Sequence, residues 1–474
     1  MPLTDQYAAD PQFPGLGPDF ADPVKAADFP QTVLRFRHQE AAQQIGLDAL
    51  GDTEWIAHFG RFSPLPKNMK TPLALRYHGH QFRQYNADLG DGRGFLFAQI
   101  RDYQGRLMDL GTKGSGRTPW SRAGDGRLTL KGAVREVLAA QMLAALGVPT
   151  SRVLSVIETG ESLMRGDEPS PTRSAVLVRL SHSHIRFGSF QRLAMLGKKE
   201  NMKTLLDHCL DHYMADLLPL SNAERPAAFL ARTAQLNAQM TARWIAAGFV
   251  HGVLNTDNMN INGESFDYGP WRFLPHYEPG FTAAYFDHQG LFAFGRQGEA
   301  VSWNLARLGE ALSLLAPVED LQEAHKDFAQ TYAKALPEAF IHRLGLVPQG
   351  QEQNQAFLRT ILAGLKETKT PYEGFFFDWF CADSARAQTR PRLGAYQHSA
   401  FDAFKAALKT YTPDRPERLD HAYFNREDPF SLEIETVEAI WDPIAKADDW
   451  AAFHGALEGI STLRSAYNLS HSSI

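Results

Sequence analysis

Cysteine is nearly absent from this chain: two residues in 474, Cys209 and Cys381. Two thiols cannot build a disulfide framework, so a reducing compartment is expected. A basic surplus is missing too. Lys plus Arg number 48 against 54 Asp plus Glu, a net charge of -6. Nucleic acid and anionic membranes are thus denied the cationic surface that each requires. No long apolar run occurs either: the longest uncharged, largely apolar stretch, 137–151, is broken by Gly147 and Pro149 and is too short to span a bilayer. The opening residues, Met1 to Gln6, carry neither a basic start nor an apolar core, so no secretory signal is expected. Internal repeats and low-complexity tracts are lacking. These absences point to a cytoplasmic globular protein with no nucleic-acid or membrane partner, long enough for two or three packed units.

What is present changes character along the chain. Residues 1–75 mix Pro, Asp and Phe around one short helical stretch near Thr32 to Leu50, and read as an arm packed over something else. From Gly90 the pattern is β: strands over 94–102 and 106–113, a glycine-rich basic loop over 114–126, a helix over 128–146, then strands near 152–158 and 174–180. Gly147 and Pro149 are the punctuation of a helix end. After Arg186 helices dominate, with long patterns over 202–218, 225–247, 302–315, 319–344 and 355–365. The expected fold class is α+β and bilobal in the order of a protein kinase. It comprises an arm (1–75), a β-rich N-lobe (76–188), a helical C-lobe (189–330) and a C-terminal helical extension (331–474). Phe375, Phe376, Phe377 and Trp379 read as core.

Phosphate transfer from a nucleotide needs groups to hold phosphates, acids to hold a metal and one group to position the acceptor. Gly90-Asp91-Gly92-Arg93-Gly94 could fold closely over a nucleotide, or could simply be a hairpin turn. Lys113 closes a strand where a kinase places its phosphate-binding lysine. Glu136 lies on an apolar helical stripe with Ala133, Ala140 and Leu143, which is costly for a carboxylate without a partner. Lys113 is the simplest partner, and Lys131 one turn away is the rival. The loop between them offers Arg117, Arg122 and Arg127, but no Gly-Lys-Ser/Thr opens a helix, so it is not a Walker P-loop. Arg179 shares a strand face with Ala175 and Leu177, which suggests a buried anion or else a structural salt bridge. Further on, His251 to Asn258 and then Asp267-Tyr268-Gly269 imitate a kinase catalytic loop and its Asp-Phe-Gly motif. Asn258 and Asp267 have oxygen donors suited to a hard divalent cation. Val253 stands where a kinase keeps its catalytic Asp, leaving Asp257 as the only nearby acid for a base. His251 reads as a packing histidine that braces this loop.

Taken together, Leu89 to Arg93, Lys113 to Pro119, Ser121 to Arg127, Arg135-Glu136, Ile185 to Gly188, His251 to Met259 and Asp267 to Pro270 resemble the selenoprotein O family of protein adenylyltransferases. The resemblance runs from about Tyr77 to Leu315. It implies a kinase-like fold in which ATP is reversed, so that AMP passes to Ser, Thr or Tyr of proteins, the chain itself included as a candidate, and pyrophosphate leaves. It implies that Lys113 holds the distal phosphates and Glu136 holds Lys113. Gly90, Gly92, Arg93, Asp125, Gly126, Arg179 and Arg186 would line the nucleotide site, Asp257 would be the base, and Asn258 and Asp267 would hold Mg²⁺ or Mn²⁺. A phosphotransferase that moves the γ-phosphate would explain the same ligands but not Val253, and a nucleotide-binding pseudokinase scaffold would not need the metal pair. Many family members carry a selenocysteine or cysteine near the C-terminus, which bacterial members can pair with a cysteine after the Asp-Tyr-Gly-Pro stretch. Here 470–474 and 281–286 lack cysteine, and Arg83 stands where the family more often has glycine.

Overall fold

The structure is a computed structural model and describes residues 3–166 and 168–469. The first 75 residues supply short strands β1 (Ala8–Ala9), β2 (Ala21–Pro23), β3 (Val33–Arg37) and β4 (Leu73–Leu75), with helices α1 (Gln39–Gln44) and α2 (Asp52–Phe59) between β3 and β4. A small hairpin follows, β5 (Gly79–Gln81) and β6 (Gln84–Asn86). Then come β7 (Leu96–Arg101), β8 (Leu107–Lys113), β9 (Leu128–Thr129), helix α3 (Leu130–Ala145), β10 (Arg152–Leu163) and β11 (Thr172–Ser181). Nine of these strands form one antiparallel sheet, ordered β2-β4-β7-β8-β11-β10-β3, with β1 on β7 and β9 on β11.

The two faces of the sheet bury different things. On β11, Ala175 and Leu177 join a core with α3 (Val134, Val137, Leu138), while Val176, Val178 and Leu180 pack outward against Trp55, Phe59 and Leu47 of the arm. That is the period-two alternation of a strand covered on both faces. Beyond covering one face, the arm seals both ends of the sheet with β2 and β3. The expected helix over Thr32 to Leu50 is instead β3 followed by the short α1. Val33-Leu34-Arg35-Phe36-Arg37 alternates, and pairing with β10 (Val156 opposite Phe36) decides its state.

Helix α3 starts where Thr129 accepts a hydrogen bond from the Gly132 N–H at 3.1 Å, and stops before Gly147 at φ +79°. Its buried stripe puts Glu136 inside. The helical region contains α4 (Phe187–Met195), α5 (Lys199–Tyr213) and α6 (Arg225–Ala246), a two-stranded ribbon of β12 (Phe249–Val250) and β13 (Arg272–Phe273), and α7 (Gln297–Leu312). It continues through α8 (Val318–Arg343), α9 (Gln351–Thr368) and α10 (Tyr372–Asp378). A second aromatic core gathers around Phe375, Phe376, Phe401 and Phe404. Two last helices, Ile434–Ala447 and Ala451–Tyr467, return to the β region. There Lys131 bonds Glu438 at 2.7 Å, and Arg35 and Arg173 bond Asp448 at 2.9 and 2.7 Å. The molecule is mixed α/β, with a β-rich first region and a helical second one, in kinase-like order.

Candidate active site

Lys113 ends β8, held in the sheet by pairing with Leu177 of β11. Its Nζ contacts Glu136 Oε1 directly and reaches Asp267 Oδ1 at 2.6 Å. Lys131, the rival partner for Glu136, is engaged by Glu438 instead. The buried carboxylate on the apolar stripe is therefore answered by the strand-end lysine, as its burial demands.

The acids come from the loop between β12 and β13, where Phe249 pairs with Phe273. His251 Nε2 meets the Phe266 carbonyl at 2.9 Å and its backbone N–H donates to Gln297 Oε1 at 3.0 Å, which pins the loop at both ends. A 3-10 turn, Thr256–Asn258, then presents Asp257. Asp267 sits at φ +64°, a left-handed conformation that Asp tolerates better than most residues. Asn258 Nδ2 lies 3.2 Å from Asp267 Oδ2.

Arg186 connects these pieces. Its guanidinium lies 4.6 Å from the Tyr77 ring and 5.0 Å from the Phe266 ring. Nη1 donates to the Asp257 carbonyl at 2.7 Å and stands 3.8 Å from Asp267 Oδ2, while Nη2 is 3.5 Å from Asp91 Oδ1. Arg179 also lies over Phe266, at 5.0 Å; its Nε points to His184 Nε2 at 3.3 Å, and its buried Nη1 has no hydrogen-bond partner among the described residues. Burial alone would raise Asp267, but the charges of Lys113, Arg179, Arg186 and Arg93 outweigh it and hold this carboxyl well below the usual range. Asp257 behaves oppositely. Burial pushes it up to about 6 against the pull of Arg186, and its Oδ1 is buried with no partner among the described residues.

The two glycine-rich segments close on each other. Gly90 leaves room for the Trp120 ring, which a β-carbon there would strike, so this glycine is required by packing within the protein. Ser121 Oγ donates to the Gly92 carbonyl at 2.6 Å, and Thr118 Oγ1 donates to the Asp91 carbonyl at 2.5 Å. Asp125 is tied to Arg165 at 2.7 Å, and Arg127 to Glu161 at 2.7 Å. Arg122 stays exposed on the loop, and Gly126 turns at φ +70°.

All these parts surround one cavity of about 680 Å³, a size suited to a nucleotide-scale ligand. Gly90, Gly92, Arg93, Lys113, Asp125 and Gly126 line it, as do Arg179, Arg186, Asp257 and Asp267. Glu136 and Asn258 are not on its wall; they stand behind it, holding Lys113 and Asp267. Sequence reasoning missed Tyr77, Gln81, Trp120, Met164 and Arg165, which also line it. A tryptophan inside a Gly/Arg loop was a usable signal, whereas Met164 and Arg165 carry none, since they arrive from the turn between β10 and β11. Arg83 is explained by its place: Phe82 (φ +49°) and Arg83 (φ +64°) form the two-residue turn of the β5–β6 hairpin, where positive φ favours glycine. Arg83 is held there by Glu299 at 2.8 Å and by Trp303. Cys209 and Cys381 are buried and free, and the cysteine-free end at 470–474 lies outside the described residues.

The order of elements and the cavity are consistent with the kinase-like class of nucleotide-dependent transferases. A family model described as "Protein adenylyltransferase SelO" matches residues 4–461, so the match takes in the arm and most of the C-terminal extension, well beyond the 77–315 that the motifs alone suggested. The chain belongs to this family of protein adenylyltransferases. The "Protein nucleotidyltransferase YdiU" of Gloeobacter violaceus is 43% identical over 482 residues, covering 98% of this chain and 96% of its own length. The protein of the same name from Trichormus variabilis is 41% identical over 470 residues, covering 96% and 95%. That from Vibrio parahaemolyticus is 39% identical over 341 residues, covering 71% and 67%. The enzyme is a nucleotidyltransferase that acts on proteins and uses ATP as substrate.

Proposed function

We propose that this protein, acting in the cytoplasm, transfers AMP from ATP to Ser, Thr or Tyr hydroxyls of other proteins and of its own chain, with Asp257 as the base. The observation that carries the reading is the Asp257 carboxylate: buried, unpartnered at Oδ1 among the described residues, pushed up to about 6, and on the wall of the same cavity as Lys113 and Asp267. A general base needs that combination of an available oxygen and a pKa near the working pH. Asp257 takes the proton of the acceptor hydroxyl, the hydroxyl oxygen forms a bond to the α-phosphorus, and the bond from that phosphorus to the pyrophosphate oxygen breaks. Lys113, held by Glu136, neutralises the distal phosphates. Gly90, Gly92, Arg93, Asp125, Gly126, Arg179 and Arg186 surround the nucleotide, with the α-phosphate turned to the acceptor.

Asn258 and Asp267 fit a hard divalent cation, Mg²⁺ or Mn²⁺, because an amide stands directly behind a strongly ionised carboxylate that lines the cavity. Among the described residues no group of three or more His, Cys, Asp or Glu could hold a metal alone. Two protein donors completed by phosphate and water is the usual arrangement for Mg²⁺ at a nucleotide. Such a cation supplies charge neutralisation on the phosphates. The division of the chain near 75, 188 and 330 belongs to the same proposal.

ATP labelled at the α or the γ position, incubated with the protein and a cell lysate, tests the reading. Label retained on protein from the α position alone, with pyrophosphate released, is the expected result. Retention from γ alone would make the site a phosphotransferase, and retention from neither, despite tight ATP binding, a scaffold.

A further inference from the structure

Five aromatic side chains are exposed among the described residues, and four of them, Phe82, Tyr85, Tyr285 and Phe286, belong to the β5–β6 hairpin and the loop after Asp267; Tyr103 is the fifth. Three form a chain of rings. Phe286 lies 5.9 Å from Phe82 and 5.1 Å from Tyr285, and Phe82 rests on buried Phe292 at 5.1 Å. Their exposures are 39% for Phe82, 43% for Phe286 and 79% for Tyr285. Contiguous rings left in water on a folded surface mark a place where something apolar docks.

Their position identifies the occupant. The hairpin is wired to the catalytic loop: the His80 N–H donates to Thr256 Oγ1 at 2.7 Å, and the Phe82 N–H donates to Asn255 Oδ1 at 3.0 Å. Those two acceptors immediately precede Asp257. On the same hairpin, a β-carbon at Gly79 would stand 3.5 Å from Asp257 Cβ, and Gln81 lines the nucleotide cavity. The ring chain is thus continuous with the wall that carries the base. The neighbouring charge of Arg83 is already engaged by Glu299, so the surface offers apolar area in preference to a free charge.

We infer that Phe82, Tyr285 and Phe286 form the docking platform for the acceptor protein, gripping an apolar side chain that flanks the target hydroxyl and presenting that hydroxyl to Asp257. The inference rests on the role proposed for Asp257. It makes acceptor choice a matter of the apolar sequence beside the target hydroxyl, read by a side-chain pocket as in recognition of extended peptides.

Synthetic peptides with one tyrosine or serine, flanked either by phenylalanine and leucine or by serine, provide the probe. The full-length protein and its Y285S/F286S variant are compared by incorporation of α-labelled AMP, with ATP affinity measured by calorimetry. The wild type is expected to show at least a tenfold lower KM for the apolar-flanked peptide. In the variant this preference should shrink to within about twofold while the Kd for ATP stays within twofold of wild type. Both residues are exposed, so the variant is expected to fold. A wild type that labels both peptides equally, or a variant that keeps the preference, overturns the platform alone. A wild type that labels neither the peptides nor any lysate protein from the α position overturns AMP transfer, and the platform with it.

Discussion

Two clusters of buried charge, one in the C-terminal extension and one in the cleft, invite comparison. In the C-terminal extension, Asp378 is fully buried and met from every side: Arg392 grips it bidentately, with Nε to Oδ2 at 2.6 Å and Nη2 to Oδ1 at 2.7 Å, and Tyr396 donates to it at 2.7 Å. In the cleft, Lys113, Glu136 and Asp267 are as tightly joined, yet the cluster opens onto a cavity with Asp257 Oδ1 and Arg179 Nη1 left without partners among the described residues. Both clusters pair buried carboxylates with cations, and the difference lies in closure. A saturated cluster fixes a core, whereas one with spare capacity facing a cavity is ready for a ligand.

That contrast can be broken first in the cleft. Lys113→Ala, Asp267→Ala and Asp257→Ala are each expected to lower AMP transfer per folded molecule by about 100-fold to 10,000-fold, and Lys113→Ala, which strands the buried Glu136, should lose stability as well. Asp257→Ala should leave ATP affinity within a few-fold of wild type, because a base acts on the acceptor. Incorporation of α-label beside calorimetry checks both, and near-normal turnover of Asp257→Ala would reduce this acid to a loop brace. In the closed cluster the loss should instead fall on stability. Arg392→Ala strands a buried carboxylate and should cost about 3–5 kcal/mol in denaturant unfolding, with turnover per folded molecule unchanged. A fall in turnover larger than the loss of folded protein would join the two clusters functionally.

The smallest effect sharpens the comparison through pH. Asp257, pushed up to about 6, is protonated more readily in the folded chain than in the unfolded one. Its contribution to stability is therefore present at low pH and lost as pH rises through about 6. Replacing it by Asn should stabilise the protein at pH 8 by about 1–3 kcal/mol, with the gain vanishing near pH 4. In the wild type, transfer should fall about tenfold per pH unit below 6, since only the ionised carboxylate accepts the proton. A rate that is flat from pH 5 to 8 would count against this base.

Much of the cleft was legible in the sequence because burial makes demands that spacing reveals. Glu136 on an apolar stripe requires a cation, for which the sequence offers Lys113 first and Lys131 as its rival, and the structure pairs it with Lys113. The catalytic loop was legible through its motif, Val253 included. The arm was harder. β2 and β4 are three residues each, too short to show alternation, and their state is set by pairing with distant strands. The sequence offers a nucleotide cover or a hairpin turn for Gly90 and a ligand-lining role for Asp125, but Gly90 also makes space for Trp120, and Asp125 is also tied to Arg165 across a turn that nothing local announces.

The ends of the chain converge behind the β region. Phe36 of β3 packs edge-on against Phe453 at 6.2 Å, and Asp448 is shared by Arg35 and Arg173. The helix that carries Glu136 is braced from the rear through Lys131 and Glu438. In a two-lobed nucleotide enzyme, part of the affinity for substrate is commonly spent on bringing the lobes together. Here the arm and the last two helices brace the β region that bears Lys113 and Glu136, which would lower the share of affinity that closure needs if the cleft holds a nucleotide as proposed. Affinity and turnover should accordingly respond to trimming of the C-terminal helices, although no residue there touches the cavity.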